Sequence, residues 1–325
     1  MSRNGSGTYS LPVNSWNPAN NGTPATAADW QALINDVAAA ITQSLSKDGQ
    51  TALTGNLPAG GNKITGLAAG TSSGDSVRWD QLSGIGLFKN LQASANGTSA
   101  NITVTTDEIV VEDSSNQCAT LRNVSLTIAG TSVGANGLDA GTINTSTWYS
   151  VWVIWDGTTT AGLLSTSATA PTLPGVYTHK TRVGWIRTDA TANKYPLAFK
   201  QYGREVRYVV GAGTNVTALP IMATGASGSI AVPTWTSLAW ATFVPSTAAA
   251  IHINAFANNG IVIAAPNNSY GAYNSTTNAP PVVNGGNSGS VLYSTPAKLM
   301  LESSNIYYAV STGGQIYAMG WEDSL

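Results

Sequence analysis

Residues 53–82, LTGNLPAGGNKITGLAAGTSSGDSVRWDQL, constrain the fold of this 325-residue chain more than any other feature. Apolar residues occur there singly, and turn-forming Gly, Asn or Ser residues separate them. A segment of this kind cannot bury its apolar side chains against one another, and their regular spacing is unlike that of a flexible linker. We therefore expect the segment to bury these side chains on something outside itself: Leu53, Leu57, Ile64, Leu67, Val77 and Leu82.

The chain as a whole contains few charged residues. Charged residues make up 9% and the formal net charge is −2, whereas an average domain has roughly 25% charged residues. Hydrophobic residues make up 42%, which is enough for a substantial core. The composition gives no electrostatic footprint for nucleic acid, and it leaves few general acids, general bases or metal ligands. We predict no nucleic-acid partner and no cofactor.

Three further features of the sequence concern disulfide formation, secretion and membrane insertion. Cys118 is the single cysteine, so it cannot form an intrachain disulfide, and we interpret it as a small buried hydrophobe. The first ten residues, MSRNGSGTYS, contain no apolar run of the secretory type. The longest apolar run, in WYSVWVIW, is too short to span a bilayer. We expect no signal peptide and no membrane insertion.

One helix is predicted near the amino terminus. Residues 1–24 have the composition of an arm that orders on a partner, or of a disordered terminus. Thr26 and Asp29 then form a weak capping box, and the helix is expected to end at residues 47–49, Lys-Asp-Gly. Its apolar residues form a narrow stripe, called here the helix seam: Trp30, Ile34, Val37 and Ile41. So narrow a seam favours self-association or docking over a globular core.

Strands dominate the sequence beyond residue 87. Residues 121–129 alternate apolar and polar side chains, as a half-buried strand does, and residues 149–155 are apolar on both faces, as a central strand is. The Ser-Thr-Gly-Gly turn at 311–314 predicts a hairpin between the last two strands. We predict further strands at 102–112, 182–187, 205–210, 238–244, 250–256, 260–265, 306–310 and 315–320.

The sequence contains no recognisable catalytic or metal motif. Its two histidines, His179 and His252, belong to no HExxH motif and no evident triad, so we predict neither catalytic nor metal-binding residues. Neighbouring carboxylates point to opposite faces of a strand, which favours solvated surface over an acid–base pair. The neighbouring carboxylates are Asp107 and Glu108, Glu112 and Asp113, and Glu322 and Asp323.

Aromatic residues are the better candidates for binding. The chain has ten Trp and twelve Tyr but four Phe, and Trp and Tyr join a flat apolar face to a hydrogen-bonding group. We assign Trp148, Trp152, Trp155, Trp185 and Trp240 to the core. The long, nearly uncharged segment 266–290 is predicted to be a loop that either binds a sugar or packs between subunits. Its candidate binding residues are Asn267, Tyr270, Tyr273 and Asn274.

The segment 53–82 resembles a repeat of the tail fibres of tailed bacteriophages and prophages, with the pattern TGxLxMGGNKITNLAxPTxxxDAVxxxQL. The sequences GTYSLP and ITQSLSKDGQ upstream also look like fibre amino termini, and Pro58 and Ala59 depart from the repeat. A further likeness to fibre modules, with no known activity, covers LRNVSLTIAG, GLDAGTINTSTWYSVWVIWDG and RVGWIRTDATANKYPL. The repeat matches at Leu57, Gly60, Gly61, Asn62, Lys63, Ile64, Thr65, Leu67, Asp75, Val77, Gln81 and Leu82.

The resemblance implies a homotrimer in which isolated apolar residues meet their copies around a three-fold axis. We predict a mainly β protein with an attachment arm and helix (1–49), a Gly-rich trimeric shaft (50–86) and two β-sandwich-like domains (87–210 and 211–325). The distal domain is the expected receptor-binding tip. The predicted trimer contacts are Trp30, Ile34, Val37, Ile41, Leu57, Ile64, Leu67, Val77 and Leu82.

The function that this resemblance implies is that of a non-enzymatic structural fibre in a virion. Its amino terminus would join adaptor or nozzle proteins of the tail, and its carboxy-terminal domain would bind a bacterial surface glycan or an outer-membrane receptor. The alternative is a tailspike depolymerase that cleaves surface polysaccharide, although the chain is acid-poor and short for a β-helix. A fibre of a phage-tail-like bacteriocin would have the same physical features.

Overall fold

The computed structural model describes residues 24, 26–42, 56, 59–68, 70, 75–76, 88–258, 260–285 and 292–325. By its internal contacts the chain divides into two units, Met1–Leu67 and Ala68–Leu325. The first unit contains the single described helix, and all described strands belong to the second.

The helix α1 spans Ala27–Thr42 and begins at the predicted capping box. The Thr26 amide donates to the Asp29 carboxylate at 2.8 Å, and the Asp29 amide donates to the Thr26 hydroxyl at 3.3 Å. These reciprocal bonds satisfy amides that have no partner within the helix. The predicted helix end at residues 47–49 lies outside the described residues.

The second unit is mainly β, as the sequence predicts. The eighteen strands in its described residues are β1 (Phe88–Lys89), β2 (Gln92–Ala95), β3 (Asn101–Glu112), β4 (Cys118–Ala129), β5 (Gly137–Leu138), β6 (Trp148–Trp155), β7 (Thr160–Ser165), β8 (His179–Arg187), β9 (Phe199–Tyr202), β10 (Glu205–Tyr208), β11 (Ile221–Thr224), β12 (Thr236–Ala239), β13 (Ala248–Asn258), β14 (Ile261–Ala265), β15 (Val282–Gly285), β16 (Leu292–Met300), β17 (Asn305–Val310) and β18 (Gly314–Asp323).

The strands form two hydrogen-bonded sheets. The large sheet has 14 strands along the path β16-β13-β18-β10-β9-β2-β3-β8-β6-β7-β5, with β1 and β4 paired to β3 and β11 paired to β18. The small sheet has four strands in the order β12-β17-β14-β15. Described pairs between strands are antiparallel except for β5 with β7. Antiparallel pairing lets one face of a sheet pack on the core while the other meets solvent.

Two strand predictions are confirmed in detail. In β4 the side chains of Val124 and Ile128 are buried and that of Leu126 is partly buried, whereas the polar residues between them are exposed. Strand β6 pairs with β7 on one side and β8 on the other, and its six interior residues are buried. Trp152 and Trp185 are buried, and Trp148, Trp155 and Trp240 pack partly buried against the core.

The predicted hairpin between the last two strands is wrong. Strand β17 pairs with β12 and β14 in the small sheet, whereas β18 pairs with β10, β11 and β13 in the large one. The turn carries the chain from one sheet to the other, and the Ser311 amide donates to the Ile261 carbonyl at 3.0 Å. Turn chemistry marks a change of direction, but the partner of each strand is decided by packing elsewhere.

Two predicted element bounds also need correction. Strand β12 covers Thr236–Ala239 rather than 238–244, because the chain turns at Trp240, whose carbonyl accepts the Phe243 amide at 2.8 Å. Part of the predicted loop 266–290 is strand β15, which pairs with β14. The turn after β12 contains apolar side chains, and β15 has only four residues and lies within a polar loop, so a sequence pattern does not reveal either boundary.

One hydrophobic cluster joins the two stretches of chain that were predicted as separate β domains. It includes Leu91 and Val104 from the first stretch and Ile251 and Trp321 from the second. Strand β10 also pairs with β18 across the predicted division at 210/211. The domain boundary at 210/211 stays a prediction. Strands from both sides of that boundary belong to the same large sheet. Cys118 lies buried, as expected of a small hydrophobe.

The expectation that Glu322 and Asp323 are both solvated is wrong for Asp323. The two carboxylates do point to opposite faces of β18, but Asp323 is 1% exposed. Its carboxylate accepts from the Arg182 guanidinium at 2.5 Å and from the Thr247 hydroxyl at 2.5 Å. Burial raises the pKa of Asp323, and the Arg182 charge opposes that effect. A buried carboxylate needs such partners.

Candidate functional site

The predicted binding loop follows β14, and the described part of it runs through residues 266–281 to β15. Hydrogen bonds within the loop hold its shape. The Gly271 amide donates to the Asn278 carbonyl at 2.7 Å, and the Asn278 side-chain amide donates to the Ser269 carbonyl at 2.8 Å. A loop closed on itself in this way presents its side chains on a fixed scaffold.

The four candidate residues in this loop have different surroundings. The Asn267 side-chain amide donates to the Glu302 carboxylate at 2.7 Å, and the Tyr270 carbonyl accepts from the Trp235 indole at 3.2 Å. Tyr273 packs half-buried against the small core cluster of Ile261, Ile263 and Ala309, with Ile230 and Trp235 beside it. Asn274 is exposed. Tyr273 therefore supports the loop and Asn274 has access to solvent, while Tyr270 is half-buried but does not belong to that cluster.

A second polar surface lies on the large sheet and was not predicted. Directly paired residues share one face of an antiparallel sheet, and strand register places two adjacent rows of side chains on one face, called here the polar face. The first row is Thr127, Thr103, Ser94, Lys200, Arg207, Gly320, His252 and Lys298. The second row is Ser125, Thr105, Gln92, Tyr202, Glu205, Glu322, Ala250 and Met300.

A cleft of 580 Å³ opens where these rows cross β10, β18, β13 and β16, and we call it the His252 cleft. Two ion pairs line it. Arg207 contacts Glu205 at 2.9 Å, and the Lys298 ammonium contacts the Glu322 carboxylate. The cleft is lined by Glu205, Arg207, Tyr208, Leu219, His252, Pro296, Ala297, Lys298, Met319 and Glu322. Two cations and two carboxylates give this wall no net charge.

His252 is the buried polar group of the cleft. Its side chain is 6% exposed, and its Nε2 atom has no hydrogen-bond partner within the protein. Burial lowers the pKa of His252, and the nearby Arg207 charge lowers it further. The hydrogen bond from Lys298 lowers the pKa of Glu322. At neutral pH the cleft therefore holds a neutral imidazole and an ionised carboxylate.

Gly320 keeps the row of side chains open between His252 and Arg207. Its φ is +155° and a Cβ atom there would lie 2.0 Å from the Val206 carbonyl oxygen. No residue with a side chain fits that position without moving β10. The gap therefore results from backbone packing and does not depend on a flexible neighbour.

A second, smaller cleft of 330 Å³, called here the Tyr202 cleft, continues the same face across β9, β2 and β3. It is lined by hydroxyl and amide groups together with Lys200 and Tyr202, and the Tyr202 side chain is 60% exposed. Register joins the two clefts, since Lys200 pairs with Arg207 and Tyr202 pairs with Glu205. Its lining residues are Gln92, Ala93, Ser94, Thr103, Thr105, Lys200, Gln201 and Tyr202.

Sequence reasoning missed both clefts because their residues come from strands far apart in the chain. The available signal was local: His252 lies between Ile251 and Ile253, and period-two alternation places it on the face opposite the two isoleucines. No spacing in the sequence pairs Lys298 with His252 or Arg207 with Gly320.

The predicted trimer contacts lie in the amino-terminal part of the chain. In the helix seam Trp30 is 55% exposed, Ile34 57% and Val37 40%, and in the glycine-rich segment Ile64 is 63% exposed and Leu67 partly so. Ile41 belongs to the backbone of α1, but its side chain lies outside the described part of the structure. Leu57, Val77 and Leu82 lie outside the described residues, as does Leu53.

Metal-binding clusters and membrane-spanning helices are absent from the described residues. Within these ranges there is no group of three or more His, Cys, Asp or Glu residues that could hold a metal ion. The helix of the described part is too short to cross a membrane.

Comparisons with protein-family models, curated proteins and solved structures found no match to this chain.

Proposed function

We propose that this protein is a structural tail fibre of a phage virion or a related tail-like particle, which attaches through its amino terminus and binds a bacterial surface glycan with its carboxy-terminal β region. The observation that carries the proposal is the pattern of isolated apolar residues in 53–82, within a segment that resembles the fibre repeat. Ile64, one of these residues, is 63% exposed in the single chain.

The helix seam supports the same proposal. Large apolar side chains of α1 are about half exposed, and a single helix of 16 residues gains little stability by itself. Three copies of the seam around one axis would remove these side chains from water. The glycine-rich segment suits close wrapping of three chains, because Gly60 and Gly61 have φ values of +58° and +81°.

The loop at 266–281 supports glycan binding at the β end. Tyrosine rings stack on sugar rings, and asparagine side chains both donate to and accept from hydroxyl groups. Three copies in a trimer would strengthen weak single sites through avidity. In this proposal Asn267, Tyr270, Tyr273 and Asn274 form or support the receptor site.

Light scattering tests the assembly. The full chain is expected at three times 33.4 kDa, and Ile34→Asp is expected to weaken the trimer because three buried charges would meet near one axis. Asn35→Asp is the matched control, since it adds the same charge to the helix beside the seam. A stable monomer with complete β structure would contradict the proposal.

The division of labour has its own test. Deletion of residues 1–46 is expected to abolish incorporation into the particle while the remaining chain still competes with the phage for cells. A folded, truncated protein that fails to compete would show that the attachment region also binds the receptor.

One observation supports the depolymerase alternative. Glu205 and Glu322 are directly paired on β10 and β18 within one cleft. Glycoside hydrolysis needs a carboxylic acid with a raised pKa, whereas the pKa of Glu322 is lowered. Loss of polysaccharide chain length on incubation with the protein, abolished by Glu205→Gln and by Glu322→Gln, would favour hydrolysis over binding alone.

A further inference from the structure

We propose that the polar face of the large sheet is a second carbohydrate site, which binds an extended, uncharged polysaccharide chain across the strands from the Tyr202 cleft to the His252 cleft. The site is separate from the loop at 266–281. It rests on the sheet's own residues and does not require the chain to be part of a fibre.

Continuity of the two clefts is the first argument. The paired positions continue across each strand from β3 to β16, which is six strand intervals along the path of the sheet, and the first row has a gap in its side chains at Gly320. With neighbouring strands about 4.8 Å apart, this surface extends for roughly 29 Å along the sheet. A surface of this length fits a chain of several sugar rings better than a single ring or a small metabolite.

The chemistry of the lining is the second argument. The ion pair of Arg207 with Glu205 presents fixed donors and acceptors side by side, as does that of Lys298 with Glu322. A sugar hydroxyl both donates and accepts, so it can bond to both members of such a pair. In the His252 cleft the charges cancel, and Lys200 in the smaller cleft leaves a single positive charge on the whole face, which gives little preference for an acidic ligand.

The unpartnered imidazole is the third argument. His252 lines the cleft, is 6% exposed, and has an Nε2 atom without a partner in the protein. A buried polar atom left unpaired destabilises the folded protein, because it has lost its hydrogen bonds to water. A ligand hydroxyl in the cleft could form this missing hydrogen bond and would gain affinity from it.

Tyr202 supplies the apolar contact that sugar binding needs. Its ring is 60% exposed at the junction of the two clefts, in register with Glu205. Exposed aromatic rings at such positions stack on the apolar face of a sugar. The combined cleft volume, with 580 Å³ on one side and 330 Å³ on the other, lies in the range of known ligand sites.

The experiment uses the full chain and an array of bacterial surface polysaccharides, followed by titration of the bound polysaccharide and its oligosaccharides. The chain has two histidines, so ¹³C-labelled histidine gives two imidazole signals, one inside the cleft and one, from His179, outside it. We expect neutral polysaccharides to shift the His252 signal and leave that of His179 in place, with affinity that rises with oligosaccharide length and is insensitive to salt.

Two matched variants make the result specific. Arg207→Gln is expected to weaken binding at least about tenfold, because charge-assisted hydrogen bonds are lost. Arg122→Gln removes an arginine from a second exposed Arg–Glu pair among the described residues, with Glu108, outside both clefts, and is expected to bind as the wild type does. Tyr202→Ser, at an exposed position, is expected to weaken binding without changing the melting temperature.

Several results would overturn the proposal. These are an array without any bound polysaccharide, binding only of acidic polysaccharides, a shift of His179 in place of His252, and equal losses for Arg207→Gln and Arg122→Gln. Tyr270→Ala separates this site from the loop, since it is expected to leave the His252 shift unchanged. If that variant abolishes the shift, the polysaccharide binds at the loop and the polar face is not a separate site.

Discussion

His252 and Lys298 lie directly opposite each other on β13 and β16, and the imidazole is buried with its Nε2 atom unpaired while the ammonium reaches Glu322 instead. The lysine therefore does not satisfy the histidine, and a second cation, Arg207, pairs with Gly320, which in turn pairs with His252, and its charge lowers the pKa of the imidazole. Burial and both cations oppose protonation of His252 in the folded protein, whereas Glu205 and Glu322 favour it, and the net effect is a lowered pKa.

This arrangement predicts a loss of stability on mild acidification. The pKa of His252 is lowered from 6.5 in the folded state, so below pH 6.5 the unfolded chain binds a proton that the folded chain does not. Stability should fall with decreasing pH by at most about 1.4 kcal/mol per unit until the folded pKa is reached. Thermal unfolding from pH 8 to pH 5 measures this slope.

His252→Gln is expected to flatten the dependence of stability on pH, and the exposed-loop variant Asn274→Gln is expected to retain it. An unchanged slope in His252→Gln would contradict the assignment of the slope to His252.

Arg182 and Asp323 form the buried ion pair that ties the last strand to β8. The Arg182 guanidinium also donates to the Ser324 carbonyl at 2.7 Å and lies 5.8 Å from the centre of the Trp185 ring. Replacement by Met would leave the Asp323 carboxylate buried without its counter-ion, which should cost about 3–5 kcal/mol of unfolding free energy.

Denaturant unfolding of Arg182→Met measures this cost, and Arg122→Met is its matched control. The Arg122–Glu108 pair is exposed, with side chains 63% and 36% accessible, and such pairs contribute about 0–1 kcal/mol. Equal losses in the two variants would show that burial adds nothing to the importance of the Arg182 pair.

Gly320 is expected to tolerate no side chain. In Gly320→Ala the Cβ atom would meet the Val206 carbonyl at 2.0 Å, so β10 must shift, with an expected loss of about 1–3 kcal/mol. Gly213→Ala is the control, because no atom lies within 4 Å of its Cβ position, and surface changes of that kind stay within about 0.5 kcal/mol. The difference in denaturation midpoint between these two variants is the measurement. A loss in Gly213→Ala as large as that in Gly320→Ala would remove the steric explanation.

Local sequence patterns predicted where the helix and strands lie better than they predicted which strands pair with one another. The alternation in β4, the apolar β6 and the Thr26–Asp29 cap follow from neighbouring residues, so the sequence alone reveals them. Pairing of β17 and β18 with different sheets depends on contacts across the whole unit, which explains the wrong hairpin. The burial of Asp323 has the same origin, because its partner Arg182 is 141 residues away.

The same contrast between local and long-range information applies to the candidate sites. The loop at 266–281 was predictable because its Tyr and Asn residues are contiguous in sequence. The polar face was not, since its two rows are assembled from eight strands by register alone. Charged residues are scarce in this chain, but the fold collects several of them in the His252 cleft, and composition cannot show where such a concentration lies.

Tyr270 and Tyr273 are expected to respond differently to replacement by Ala. Tyr273 packs against Ile261, Ile263 and Ala309, so Tyr273→Ala should lower stability by about 1–3 kcal/mol and thereby reduce cell adsorption indirectly. The Tyr270 backbone carbonyl accepts from the Trp235 indole, and this hydrogen bond is retained in Tyr270→Ala.

Tyr270→Ala should therefore reduce adsorption to host cells at an unchanged melting temperature, because a stacking surface is lost while the loop keeps its hydrogen bonds. Adsorption counts and thermal unfolding of the same preparation measure both effects, and Asn274→Ala tests the exposed amide beside it. Normal adsorption of Tyr270→Ala would remove the loop as the receptor site. A reduced melting temperature or loss of the trimer in that variant would instead assign Tyr270 to packing, and would leave the polar face as the surface that contacts the cell.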